Sequence, residues 1–176
     1  MEKRIGKIIV GSAGGNSGKS SKGYKISLPS KWVKELALAE QEIEISFDGE
    51  KITIAPFLAF DDFLNKKKAL KHKLIIFNFF DKDILCTQIC ADFTDKTISV
   101  QNKTTNIIKT AFGKIKAPTW EEFQAFLEER CVPKSRSGIR EYLEAIGVEE
   151  YSPIEIIKKT HGKMAEDSQW LEMEEI

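Results

Sequence analysis

Lys7, Lys19, Lys22, Lys25, Lys31 and Lys34 fall within 28 residues. Ammonium groups at this density do one chemistry well: they neutralise phosphates and release the counterions condensed on a polyanion, which binds nucleic acid. Between them, Gly11 to Gly23 holds five glycines and four serines in thirteen residues. Small residues let a backbone approach a phosphate chain, and serine or asparagine adds hydrogen bonds to phosphates or base edges. Within this run Ala13 to Ser20 fits the loose form of a phosphate-binding P-loop, ending on Lys19 and Ser20. That mechanism needs a helix starting at the Lys-Ser pair, whose N–H groups cradle the phosphate. Here the loop continues to Gly23 and a strand pattern follows, so a solvated lysine loop is the main expectation and a nucleotide site the minor one.

Other chemistries have less behind them. Cys86, Cys90 and Cys131 with only His72 and His161 make a poor zinc set. Cys86 and Cys90 are four apart on an expected strand, which places them on one side as buried thiols. Cys131 beside Arg130 has a neighbour that favours thiolate, but no histidine base accompanies it in sequence. His161 near a helix end is best read as a dipole partner. No metal, cofactor or catalytic constellation is expected, and the chain is not read as an enzyme.

The elements that must position the lysines are short. Lys7 to Val10 reads as a strand, and Tyr24 to Leu28 alternates with period two. Pro29 ends that strand. Ser30, a candidate N-cap, opens a short amphipathic helix with apolar residues at 32, 33, 36 and 37. Glu42 to Phe47 alternates strictly, Asp48-Gly49 signals a hairpin turn, and Lys51 to Ile54 returns. Under 60 residues of this kind cannot bury a good core alone, so association with a second copy is expected. Residues 58–71 read as a basic helix with Lys66, Lys67 and Lys68 on a solvated face. Three strands of a meander follow, at Leu74 to Phe80, Ile84 to Ala91 and Thr97 to Val100. Capping signals then predict helices from Thr119 to about Arg130, from Gly138 to Ile146, and from Ser152 to Gly162. Trp120, Phe123, Phe126 and Leu127 have the spacing of a core face, and the stretch around Trp170 reads as a polar tail.

The 176 residues balance 27 basic against 27 acidic side chains, with 41% hydrophobic residues. That mixture is globular, not disordered. The net zero is a sum of unlike parts: +7 over residues 1–34, −5 over 35–56, +5 over 57–116 and −7 over 117–176. A locally basic surface and a locally acidic one are therefore expected on the same chain. No apolar run approaches the ~20 residues of a membrane span and no secretory stretch opens the chain, so a cytoplasmic protein with reduced thiols is expected.

The order of Lys25 to Pro29, Trp32 to Leu36 and Glu42 to Ile54 resembles the AbrB/MazE/SpoVT family of swapped-hairpin DNA-binding domains, over roughly residues 3–56. The resemblance implies a β-barrel made by two chains exchanging hairpins. It implies that basic residues of the first strand, its loop and the helix start contact DNA. By position Lys25 matches the basic residue ahead of the proline strand and Lys34 one of two basic residues in the helix. Val33 occupies the other, and Ala37 stands where the family usually has glycine. Lys7, Lys19, Lys22 and Lys31 join them through the loop and its flanks. The segments Arg130 to Arg140 and Tyr151 to Gly162 resemble C-terminal parts of uncharacterised Firmicutes proteins.

The expectation is an α+β chain, with a dimeric N-terminal swapped-hairpin β-barrel over residues 1–56. A domain at 57–176 follows, holding the meander (73–101) and helices (119–162). Its partners would be DNA, a second copy, and a protein such as a toxin through the acidic C-terminal region, with no membrane. Its role would be a transcriptional regulator, in the class that includes the antitoxins of toxin–antitoxin pairs. The alternatives are a protein-interaction module whose barrel only dimerises, and a P-loop nucleotide-binding protein.

Overall fold

A computed structural model describes residues 2–12 and 22–176. The chain divides into two units, Met1–Phe57 and Leu58–Ile176. It is a mixed α+β protein, with three antiparallel sheets and five α-helices among the described residues. No helix among them is long and apolar enough to cross a membrane. The centre of the glycine-serine run, with Lys19 and the P-loop match, lies outside the described residues.

In the first unit β1 (Ile9–Ser12) pairs antiparallel with β2 (Lys22–Lys25), and β3 (Ile43–Phe47) with β4 (Ile52–Pro56). These are two separate two-stranded sheets, and no closed barrel forms among the described residues of the single chain. β2 begins the described part of the chain that follows the centre of the glycine-serine run. Asp48 closes the second hairpin by accepting hydrogen bonds from the N–H groups of Glu50 and Lys51, both at 3.0 Å, and Gly49 takes the positive φ of 95° that the turn requires.

Between the hairpins lies α1 (Ser30–Glu35). Ser30 is its first helical residue and not its cap, as the sequence had implied. Pro29 sits at the cap position with φ −59°, and no side-chain oxygen closes that end. The other end is a Schellman motif: the Leu38 N–H donates to the Val33 carbonyl (3.0 Å) and the Ala37 N–H to the Lys34 carbonyl (3.1 Å). The motif forces Ala37 to φ +49°. A β-carbon is disfavoured there, which gives a physical reason for glycine at this position. Ala37→Gly is therefore expected to stabilise the first unit by roughly 0.5–1 kcal/mol, read as a rise in its melting temperature. An unchanged or lower temperature would contradict that account.

The second unit has a real core. β5 (Leu74–Asp81), β6 (Ile84–Asp92), β7 (Thr97–Asn102) and β8 (Gln169–Glu175) make one antiparallel sheet in the order β7-β6-β5-β8. The expected three-stranded meander is thus a four-stranded sheet. The stretch read as a polar tail is its edge strand, paired with β5 from Ile75 to Asp81. β5 opens on four consecutive apolar residues, Leu74 to Phe77, because both its faces are covered at that end. On one face α3 (Trp120–Glu129), α4 (Ile139–Ile146) and α5 (Pro153–Thr160) contribute to the main core. Phe77 meets Phe123 edge-on at 5.2 Å and Phe79 meets Phe126 at 5.4 Å. On the other face α2 (Phe60–Ala69) lays Phe60 and Phe63 over Cys90. The capping box at Thr119 is complete, with Thr119 Oγ1 accepting from the Glu122 N–H and Glu122 accepting from the Thr119 N–H.

Two local expectations change, those for the Cys86–Cys90 pair and for Lys67. Cys86 and Cys90 do not share a side: a register shift opposite Phe79 and Phe80 turns Cys86 into the main core, while Cys90 lies under α2. Cys131 is no activated thiol, because burial pushes it up to about 11, and the neighbouring Arg130 is committed elsewhere. Lys67 is not solvated like Lys66 and Lys68. It lies 2.8 Å from Asp92 and 2.6 Å from Asp95.

Candidate nucleic-acid interface

The lysines singled out by sequence come from three local settings in the first unit. Lys7 precedes β1 and is exposed. Lys22 and Lys25 stand at the two ends of β2, opposite Ser12 and Ile9, which separates their Cα atoms by about 10 Å. Lys31 and Lys34 are on α1, one turn apart. Lys7, Lys22, Lys25 and Lys34 make no ion pair among the described residues. Lys31 differs, since its ammonium lies 2.7 Å from Glu2 and 3.8 Å from Glu35. Glu2 also accepts a 2.7 Å hydrogen bond from the Trp32 indole. Lys31 and then Trp32 hold the Glu2 carboxyl below its ordinary range. Of the lysines singled out, these four are unpaired among the described residues, whereas Lys31 would have to leave Glu2 to join them. The acids Glu44, Asp48 and Glu50 belong to the other hairpin, on a separate sheet.

The sequence implied a unit too small to bury its own core, and the same unit holds the apolar side chains left open. Among the described residues of the first unit no side chain is fully buried, yet the unit is rich in large apolar ones. In the second hairpin the register pairs Ile43 with Pro56, Ile45 with Ile54 and Phe47 with Ile52. All six share one face, because residues two apart on a strand do. Ile45 is 65% exposed, Phe47 70% and Ile52 68%. Ile9, Val10, Tyr24, Ile26 and Leu28 are exposed too. The strict alternation from Glu42 to Phe47 was the available signal. It marked a face to bury without saying against what.

A second cluster, in the other unit, has metal-like composition. His72, Asp92 and Asp95 bring ligand atoms within 4.8 Å of one another. The Lys67 ammonium already stands against both carboxylates, His72 Nδ1 is hydrogen-bonded to Asp92 at 2.7 Å, and Asp92 accepts from the N–H groups of Thr94 and Asp95. Burial alone would raise the Asp92 carboxyl, but these partners together bring it to about 2. The arrangement works as an ion-paired clip joining α2 and the following turn to the end of β6.

The arrangement of the first unit defines a class: a cationic hairpin and helix on a small unit that leaves its apolar face uncovered. Comparison with protein-family models, with curated proteins and with solved structures returned no match.

Proposed function

We propose that this chain is a sequence-specific DNA-binding transcriptional regulator that acts as a homodimer. Two copies would exchange the hairpins of their first units into one barrel, as the AbrB/MazE/SpoVT resemblance implies, and carry two basic surfaces onto a two-fold operator. Phosphate contacts would position the dimer, and hydrogen bonds or DNA shape would select sequence. This places the chain in a class that includes antitoxins and acts in the cytoplasm. One observation supports the reading above the others: free lysines and an uncovered apolar hairpin face occupy the same unit of fewer than 60 residues. A lone two-stranded hairpin is marginal in water, so such a face asks for a partner. A second copy of the same face is self-complementary.

The test is a gel shift on the DNA upstream of the protein's own gene, at two salt concentrations, with wild type and the Lys25→Ala/Lys34→Ala variant. Two lysines lost from each of two copies should reduce the log-log salt slope by about 3–4 and weaken binding at least ten-fold at about 0.15 M salt. Equal affinity from an intact double-variant dimer would sink the assignment.

A further inference from the structure

We propose that a groove between α3 and the start of α5 docks a basic peptide segment of a partner protein, anchored by one bulky apolar side chain. This site lies wholly within the second unit and does not rest on the DNA-binding reading. Its centre is a partly open pocket of about 130 Å³ whose apolar wall is Phe93, Trp120, Phe123, Leu127 and Ile154, with the polar Gln124 and Ser152 also lining it. Apolar cavities of roughly 150 Å³ hold a benzene-sized group, so this one suits the end of a Leu, Met or Phe side chain. Glu128 and Pro153 line both the cavity and a shallower groove, which continues over Ala125, Glu129, Lys134 and Tyr151. A pocket with a groove leading from it fits an extended chain better than a free small molecule.

The charge around the site names the partner's sign. In the second unit the acids that hold the fold are paired: Asp81 with Lys109, Asp92 and Asp95 with Lys67, Asp167 with Arg130, Glu175 with Lys158. Glu128 and Glu129, which line the groove, make no ion pair among the described residues. Neither do Glu121 on α3 or Glu149 and Glu150, which lead into Tyr151. Exposed, unpaired carboxylates flanking an aromatic-walled pocket repel nucleic acid and attract lysine and arginine. The net −7 of residues 117–176 acts in the same direction. Among the described residues Lys134 is the cation that lines the groove, and its ammonium lies over the Tyr151 ring at 5.9 Å.

The experiment pans phage-displayed random peptides on the full-length chain. Synthetic versions of the winners are then titrated into 15N-labelled protein while the Trp120 indole N–H signal is followed. The expected winners carry at least two Lys or Arg around one Leu, Met or Phe, and shift Trp120 more than Trp32 or Trp170. Alanine at the anchor should weaken them about ten- to hundred-fold. Glu128→Gln with Glu129→Gln should weaken them at least five-fold and flatten their salt dependence. Gln124→Tyr, a ring placed at the exposed rim of the cavity, should abolish binding. These substitutions fall at exposed positions of α3, and retained folding is checked by circular dichroism. No enrichment above a Gln124→Tyr control surface, or winners that leave Trp120 unmoved, would overturn the proposal.

Discussion

Aspartate at Ile45 and Phe47 together is expected to turn the protein into a monomer whose first 57 residues are unfolded. Both side chains lie on the hairpin face that carries Ile43, Ile52, Ile54 and Pro56, and both are mostly exposed in the single chain. On the dimer reading that face is the interface core, where each large apolar side chain contributes roughly 1.5–3 kcal/mol on burial. Replacing two of them in each copy removes that contribution and puts four carboxylates into an apolar contact, a cost of several kcal/mol more unless water enters. Sedimentation should show half the wild-type mass. Far-ultraviolet dichroism should lose the strand signal of the first unit while the second still melts cooperatively. Glu44→Gln, on the opposite face of the same strand, is the control and should change neither. A double-aspartate variant that sediments like wild type would remove the hairpin face from any interface.

The second large effect lies at Arg130. Its side chain is 7% exposed overall and ties three stretches together. Nε donates to the Gly162 carbonyl at 3.0 Å, the two terminal nitrogens grip Asp167 at 2.6 and 3.1 Å, and one of them donates to the Gln169 carbonyl at 2.8 Å. The fork thus fastens the end of α3 to the turn that delivers β8. Arg130→Ala leaves Asp167 without its counter-charge and Gly162 and Gln169 without their donor. Removing one partner of such a pair typically costs about 3–5 kcal/mol. Arg130→Lys should recover only a minor part, since one ammonium cannot replace the planar fork. The pH sign follows from Asp167, whose carboxyl Arg130 holds below its ordinary value of 3.8. Its contribution is present above that value and lost as pH falls through the lower folded value. Wild type should therefore lose more stability between pH 5 and pH 2 than Arg130→Ala. Chemical denaturation of both proteins at those pH values measures it, and equal losses would show that Asp167 draws nothing from Arg130.

How far the sequence could be read depended on whether the deciding contact was local. The capping box at Thr119, Pro153 at the first turn of α5 and Gly147 at the end of α4 act within four residues, so their helices were legible. β8 was not, because the β5 residues it pairs with lie 88 to 100 positions earlier. Its alternation of Leu171 and Met173 with Glu172 and Glu174 sits in an acidic stretch that looks solvent-bound. The inserted residue near Cys86 is equally silent in sequence, yet it decides which core the thiol enters. Lys66, Lys67 and Lys68 look alike until α2 packs, and only Lys67 then faces Asp92. At the candidate interface the lysines were legible as a density of charge. The Glu2 partner of Lys31 was not, because it joins residues 29 apart. The uncovered apolar hairpin was half legible: its alternation and the unit's small size were plain, but which side chains stay exposed among the described residues was not.

That missing cover also bears on how long the protein survives. If the first unit gains its core only from another copy, a newly made or diluted chain carries a stable larger unit and an unprotected smaller one. Proteases act on the open form in proportion to its population, so they would trim residues 2–57 fastest when the protein is scarce and spare them once copies pair. Turnover would then couple to abundance, and a modest fall in synthesis would produce a steeper fall in intact, paired molecules, leaving fragments near residue 57 as its trace.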